Sequence, residues 1–222
     1  MINQIYLVRG DDNETYEAFK DRVGKAVESL ADNESVRFLS YTITVEEPPK
    51  VSIIPFKKKK ITSITVKKQD ELPIENLLNL KGFKGAYHVT EALPLAYEKT
   101  WADGEKTPGA CLLTLFKQKK SIDYKTFLDR WHNSHTPLSL KTHPLWHYNR
   151  NVVEEKLSNA SAQWDGIVEE HMRTRSELLN PFKFFGNPMV IIPRMIQVYT
   201  DTKSFLDYKS IEPYLVTEYH VK

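Results

Sequence analysis

The feature that most constrains the fold of this chain is an internal repeat. The segment YEAFKDR at 16–22 recurs as YKTFLDR at 124–130, so four of the seven residues are identical at a displacement of 108 positions. Each copy follows a β-forming run and a polar turn, and each precedes a second β-forming run. This pattern predicts two copies of one structural unit.

The two halves also share the order of their predicted elements. In the first half the residue pattern predicts helices at 15–30 and 73–80 and strands at 4–9, 35–46, 60–67 and 85–95. In the second half it predicts helices from 124 onward and at 176–185 and strands at 110–117, 146–155, 166–174 and 189–200. Each half then has the order β-α-β-β-α-β of a ferredoxin-like unit.

We therefore predict an α+β fold made of two tandem ferredoxin-like units. The first unit covers residues 1–103 and the second covers 104–222, because Gly104, Pro108 and Gly109 interrupt regular structure between them. The chain has 222 residues, of which 41% are hydrophobic and 27% are charged, and this is enough apolar material for two such cores.

The charge balance argues against a nucleic-acid partner. The chain carries 31 basic and 29 acidic residues, a net charge of +2, which creates no extended positive field. One basic cluster stands out, formed by Lys57–Lys60 with Lys67 and Lys68. We predict that it is a solvated hairpin edge, where lysines oppose aggregation.

The cysteine content and the N-terminal segment predict the compartment. Cys111 is the only cysteine, so the chain can form neither an intrachain disulfide nor a cysteine-only zinc site. No apolar stretch near the N-terminus is long enough for a signal peptide or a membrane span. We expect a cytoplasmic protein without a membrane partner.

The two halves differ in their histidines. A gapless alignment of the repeat places Trp131 on Val23 and His135 on Val27, so the first copy has apolar residues where the second has an indole and an imidazole. Five of the seven histidines lie between positions 132 and 171 in the second half, at positions 132, 135, 143, 147 and 171, whereas the first half has only His88. Any chemistry is therefore expected in the second unit.

His135 is the leading candidate for an acid or base. It shares a helical stripe with Phe127 and Trp131 that is predicted to pack on the sheet, and an imidazole there needs a hydrogen-bond partner. A core histidine with satisfied hydrogen bonds is an equally good interpretation of the pattern. Pro137 disturbs the helix one turn after Asn133 and frees backbone groups near His135, which favours a pocket.

Other polar residues leave alternatives open. His132 lies three residues before His135, and a metal site could add Asp165, Glu169, Glu170 and His171, but the spacing matches no metal motif and we predict no metal. His132 is expected to be exposed to solvent, and His143 and His147 are expected at the surface or a sheet edge. Asp165 opens a strand, where it can pair with an imidazole or serve as a turn residue.

Three segments resemble the EthD-like family of the dimeric α/β-barrel superfamily. They are FLDRWHNSHTPL at 127–138, HYNRNVV at 147–153 and WDGI at 164–167. The resemblance covers residues 110–200 well and the first half only by fold plan. Trp164 stands where the family usually has tyrosine, and the first half lacks the family's tryptophan and histidine.

The resemblance implies a sheet that closes into a barrel against another copy, with the ligand between sheet and helices. The second copy would be the other half of this chain or a second chain, as in a homodimer. Family relatives in aromatic polyketide pathways act as dehydratases, decarboxylases or oxygenases, without a metal or an organic cofactor. By resemblance, this chain is a cofactor-independent lyase or oxygenase that acts on a hydrophobic or aromatic carbonyl compound.

The same resemblance assigns roles to residues. His135 would be the general acid or base and Asp165 its orienting partner. The candidate substrate-binding residues are Trp131, His132, Trp146, Tyr148 and Glu169.

Two other functions remain open at this point. One is a haem enzyme, since chlorite dismutase-like and coproheme-handling enzymes also use tandem ferredoxin-like halves and need one histidine as axial ligand. The other is a binding or assembly protein that holds a small ligand without turnover.

Overall fold

In the computed structural model, which describes residues 1–222, eight strands alternate with short and long helices. The strands are β1 (Ile2–Arg9), β2 (Val36–Ile43), β3 (Ile61–Lys68), β4 (Phe83–Leu95), β5 (Ala110–Phe116), β6 (Leu145–Lys156), β7 (Gly166–Met172) and β8 (Glu212–His220). The helices are α1 (Tyr16–Glu28), α2 (Glu75–Leu78), α3 (Tyr124–Asp129), α4 (Thr136–Thr142), α5 (Arg175–Leu179), α6 (Pro181–Phe184) and α7 (Ile191–Phe205), with a π-helical segment (Arg130–His135) between α3 and α4.

The eight strands close into one antiparallel barrel in the order β1-β3-β2-β8-β5-β7-β6-β4. The strands of the first half lie together in the order β4-β1-β3-β2, and those of the second half in the corresponding order β8-β5-β7-β6. The fold is thus α+β, and the barrel closes within a single chain. Closure leaves no sheet edge unpaired.

Two seams join the halves of the barrel. The first pairs β2 with β8, from Ser40↔His220 to Ile43↔Thr217. The second pairs β4 with β6, from Tyr87↔Lys156 to Leu95↔Tyr148, and is longer. The β2–β8 seam is therefore the shorter of the two connections between the halves.

Helices cover the outer face of the barrel in both halves. In the first half, α1 begins at the N-cap Thr15, whose hydroxyl accepts a hydrogen bond from the Ala18 amide. Its buried face presents Phe19, Val23 and Val27 to the sheet, and these residues belong to a continuous apolar cluster. Val23 and Val27, the counterparts of Trp131 and His135 in the repeat, are therefore part of a packed apolar core.

The predicted strand at 189–200 is wrong. These residues begin α7, and the last strand of the second half is β8, which lies further along the chain. Ile191, Met195 and Val198 recur at helical spacing and pack against one apolar cluster on the outer face of the barrel. The segment at 189–200 is rich in apolar and β-branched residues, which is typical of a strand, but its partly buried residues recur with the period of a helix.

The predicted solvated edge of lysines is correct only in part. Residues 57–59 are exposed in the loop between β2 and β3. Lys67 lies inside the barrel, with its Nζ 2.5 Å from Glu91 Oε2, and Lys68 is buried and pairs with Asp70 at 2.8 Å. A closed barrel has no edge at β3, so these two lysines do not protect one.

No helix in this structure is both long and apolar enough to cross a membrane.

The start of β7 is packed so closely that a methyl group does not fit there. A Cβ on Gly166 would overlap the ring of Phe116 and lie 2.9 Å from Trp131 Cη2. We expect G166A to lower the free energy of unfolding by about 1–3 kcal/mol, because the two rings must shift. Urea unfolding measures this change.

A matched glycine is available on α1. A Cβ on Gly24 would meet nothing closer than the Tyr41 hydroxyl at 3.6 Å, an ordinary contact. G24A should leave stability unchanged or raise it by up to about 1 kcal/mol through better helix propensity. Equal losses in both variants would contradict the packing described for Gly166.

Candidate active site

A cavity of about 470 Å³ lies between the outer face of the second half's strands and the helices that cover them. We call it the outer cavity. Most of its wall is apolar, and the aromatic and aliphatic side chains that line it include Leu112, Phe116, Trp131, Val168, Phe184, Phe185, Met195, Val198 and Phe205. Such a cavity favours a hydrophobic ligand.

The first half of the chain also contributes to this cavity. Ile53, Ile54 and Pro55, from the long loop between β2 and β3, lie on its wall. The loop is held to the second half by the Lys57 amide, which donates to the Pro213 carbonyl at 2.8 Å. The outer cavity is therefore enclosed by both halves, although its histidines and its carboxylate come from the second.

The π-helical segment positions the residues that the sequence singled out. Pro137 has no amide hydrogen and its ring clashes with a helical carbonyl four residues earlier, so the regular α-helix cannot continue through this turn. The wider turn at 130–135 accommodates the proline, as predicted from its position. Trp131 is 1% exposed there, and both Trp131 and His135 line the outer cavity.

His135 forms a pair with Asp201 of α7. Its Nδ1 lies 2.8 Å from Asp201 Oδ2, and the other carboxylate oxygen accepts a hydrogen bond from Ser134 Oγ at 2.5 Å. Burial alone would raise the pKa of Asp201, but the hydrogen bonds from His135 and Ser134 outweigh it and lower the pKa. Asp201 is therefore an ionised acceptor that keeps a proton on Nδ1 of the imidazole.

The second ring nitrogen of His135 is then available as a base. With the proton on Nδ1, the Nε2 lone pair faces the Ser139 hydroxyl at 3.1 Å. A hydroxyl rotor can turn away when a substrate approaches. The arrangement of carboxylate, imidazole and free lone pair is that of an oriented general base.

Glu170 is the second titratable group on the outer cavity. Its carboxylate is half-buried, opens onto the cavity and forms no hydrogen bond within the protein. Burial raises the pKa of Glu170 to about 7, against the opposing influence of the nearby His135. A carboxyl group that titrates near neutrality can donate or accept a proton at the working pH.

His143 completes the polar lining and is neutral. Its ring stacks on Phe184 with centroids 4.2 Å apart, and burial lowers the pKa of His143 to about 4. The predicted surface or edge position is wrong for His143. It is also wrong for His147, which is 9% exposed and points into the barrel.

The structure brings some of the predicted site residues together and separates others. Trp131, His135 and Tyr148 all line the outer cavity. His132 does not line it, and its ring is half-buried beside Trp131 rather than exposed as predicted. Trp146 does not line the cavity either, and its ring packs at a tilt against Tyr97, with centroids 5.1 Å apart.

The carboxylates predicted for the site lie elsewhere. Asp165 does not orient His135, because its Oδ2 accepts a hydrogen bond from the Gln118 amide at 2.7 Å. Glu169 points into the barrel, where Thr42 donates to it at 3.1 Å. Asp201, rather than Asp165, pairs with His135, and Glu170, rather than Glu169, lines the outer cavity. Asp201 was missed because its helix was predicted as a strand, and Glu170 was considered only as a metal ligand.

Comparison with known proteins gives a likeness of fold. No protein-family model matches the chain, and no curated protein matches it. One similar structure is that of an anthrone oxidase-like protein, with a TM-score of 0.60 and 10% identity over 100% of this chain and 91% of that chain. Another is a "putative monooxygenase" from Fusobacterium nucleatum, with a TM-score of 0.53 and 12% identity over 100% of this chain and 92% of that one. At these identities the shared property is the barrel fold.

The raised pKa of Glu170 predicts a pH dependence of stability. Burial raises the pKa of Glu170 from 4.5 to about 7, so between these values the folded protein holds a proton that the unfolded chain has released. The stability contributed by this group is complete below the lower value and falls as the pH rises through the upper one. Glutamine does not titrate, so E170Q should gain stability relative to the wild type as the pH rises from about 5 to about 8. Urea unfolding at several pH values checks this, and a difference that is constant with pH would contradict it.

Proposed function

We propose that this chain is a small EthD-like enzyme that takes a proton from a hydrophobic or aromatic carbonyl compound and directs the product to reaction with dioxygen. The observation that carries the proposal is the His135–Asp201 pair at 2.8 Å, which opens onto an apolar cavity beside Glu170. An oriented base and a second proton carrier are the groups that this chemistry requires.

The architecture supports assignment to two ferredoxin-like units of this family. The halves repeat both the order of elements and the order of hydrogen-bonded strands. Two of the three motif segments contribute to the outer cavity, through Trp131, His135 and Tyr148. The family resemblance and the cavity therefore point to the same part of the second unit.

The wall of the outer cavity fits an aromatic ligand. Its volume of about 470 Å³ falls within the range of roughly 300–1,000 Å³ that is usual for small-molecule sites. Flat rings can stack against Trp131, Phe184 and Phe205, and burial among these side chains excludes water. Exclusion of water strengthens each electrostatic contact that the substrate makes with His135 and Glu170.

The first step would be removal of a proton from a carbon that is conjugated with the carbonyl group. His135 Nε2 would accept this proton, and Asp201 would stabilise the resulting imidazolium through Nδ1–H. Glu170, in its protonated form, would donate a hydrogen bond to the carbonyl oxygen as negative charge develops there. The product of the step is an enolate held in a dry cavity.

The second step would consume dioxygen. An electron-rich enolate can react with it so that a CH₂ group becomes a carbonyl group and one molecule of water is released. The fold likeness to an anthrone oxidase-like protein makes anthrone a suitable first probe, because its CH₂ group lies between two aromatic rings that conjugate it with a ketone on the opposite side of the central ring. A lyase would share the first step but would not need dioxygen.

Replacement of Asp201 tests the base directly. We expect D201N to lower kcat for anthrone oxidation about 10²–10⁴-fold, because an amide cannot stabilise the imidazolium, and H135Q to lower it at least as much. Oxygen consumption and product absorbance measure both effects. The matched control is D165N, whose amide oxygen can still accept from Gln118, and it should stay within about twofold of the wild type.

Two outcomes of this experiment would contradict the proposal. Turnover that is retained in H135Q would show that the imidazole is not the base. Anthrone turnover that proceeds equally without dioxygen would show that dioxygen is not the oxidant and would contradict the second step.

A further inference from the structure

A second polar cluster lies inside the barrel, on the opposite face of the sheet from the outer cavity. Glu169 and His171 are two residues apart on β7 and share its inward face, and Glu218 projects inward from β8. The three side chains are 4%, 1% and 6% exposed. One donor atom from each lies within 4.8 Å of the others. None of them takes part in the proposed reaction.

The imidazole in this cluster has no hydrogen bond that explains its burial. His171 Nε2 is buried without any hydrogen-bond partner. Its Nδ1 lies 3.9 Å from Glu218 Oε2, which is beyond hydrogen-bond length. A buried polar atom without a partner is unfavourable and indicates that another group binds there.

The two carboxylates also lack a matching cation. The one lysine that faces them from inside the barrel, Lys67, is already paired with Glu91 at 2.5 Å. Glu169 and Glu218 are both buried in the same cluster, so their negative charges repel each other unless a cation lies between them.

Three polar groups surround the Glu218 carboxylate and fix its position. The Tyr97 and Thr107 hydroxyls donate to its Oε2 at 2.6 and 2.9 Å, and His220 Nε2 lies 3.3 Å from the same oxygen. Glu218, the nearby Glu169 and the unpartnered imidazole of His171 together form a set of metal ligands.

We propose that Glu169, His171 and Glu218 bind one divalent transition-metal ion inside the barrel. Three atoms that are at most 4.8 Å apart share a centre no more than roughly 2.8 Å from each, so contraction by about 0.6 Å gives bonds of about 2.0–2.2 Å. An imidazole nitrogen with carboxylate oxygens suits zinc and its first-row neighbours better than magnesium or calcium.

The position of the cluster suggests that the ion strengthens the shorter seam of the barrel. Glu218 pairs with Thr42 in the register of β2 with β8, and Thr42 also donates to Glu169 at 3.1 Å. An ion held by Glu169 and Glu218 would therefore tie β7 and β8 together beside the strand of the first half that they meet. Binding to the folded state alone raises the melting temperature.

Zinc titration of the full-length protein tests this proposal. The protein is unfolded in chelator and refolded without metal, because the site is enclosed, and is then titrated with Zn²⁺ in competition with an indicator dye. We expect one ion per chain, a Kd below about 1 µM and a higher melting temperature. E169Q and H171Q should each weaken zinc binding about 100-fold or more, since each removes a ligand.

E169Q also addresses the risk that a variant does not fold. Glutamine has nearly the size and shape of glutamate, and its amide oxygen can still accept the hydrogen bond from Thr42. The metal-free E169Q protein should therefore melt close to the metal-free wild type. The matched control for zinc binding is E170Q, which changes the intervening residue of β7 on the opposite face and should retain the wild-type Kd.

Three results would overturn the proposal. The first is a refolded wild type that binds no zinc below about 100 µM, and the second is an E169Q protein that binds zinc as the wild type does. The third is loss of zinc binding in E170Q, which would place the ion in the outer cavity. None of these results depends on turnover, so they are independent of the reaction proposed for His135.

Discussion

Closure of eight strands within one chain is the constraint on which the rest of this structure depends. Once the β2–β8 and β4–β6 seams are formed, each strand has one face inside the barrel and one face under a layer of helices or loops. Polar side chains on either face are thereby removed from water, and each needs a partner or a ligand. The outer cavity and the cluster of Glu169, His171 and Glu218 are two places where this need is not fully met by the protein itself.

The two halves use the same plan for different purposes. In the first half, Val23 and Val27 fill the space between α1 and the sheet, so this half stabilises the fold and contributes the loop that encloses the cavity. In the second half, Trp131 and His135 stand at the corresponding repeat positions, and the π-helical segment turns them toward α7. The space left between helix and sheet is the outer cavity. Loss of symmetry between the halves is thus what creates the site.

Much of this fold could be predicted from the sequence, because the repeat and the local periodicity are both visible there. Seven of the eight strands lie close to their predicted positions, and His135 lies on the cavity that Pro137 suggested. The exceptions have physical causes. In α7, an apolar sequence rich in β-branched residues imitates a strand, and the error hid Asp201 as the partner of His135.

The choice between Glu169 and Glu170 was beyond the sequence for a different reason. Adjacent residues of a strand point to opposite faces, and in a covered barrel both faces of β7 are buried, so hydrophobic alternation does not distinguish them. A shift of one residue exchanges the barrel interior for the outer cavity. The register of β7 against β5 and β6 is what places Glu169 inside the barrel and Glu170 on the outer cavity.

A crystal structure of the protein with a bound aromatic ketone would test the role of the outer cavity most directly. We expect the rings to lie against Trp131 and Phe205, with the ketone oxygen about 2.6–3.2 Å from the Glu170 carboxyl group and the acidic carbon facing His135. A ketone bound outside this cavity, or one whose carbonyl group points away from both side chains, would contradict the assignment of the site.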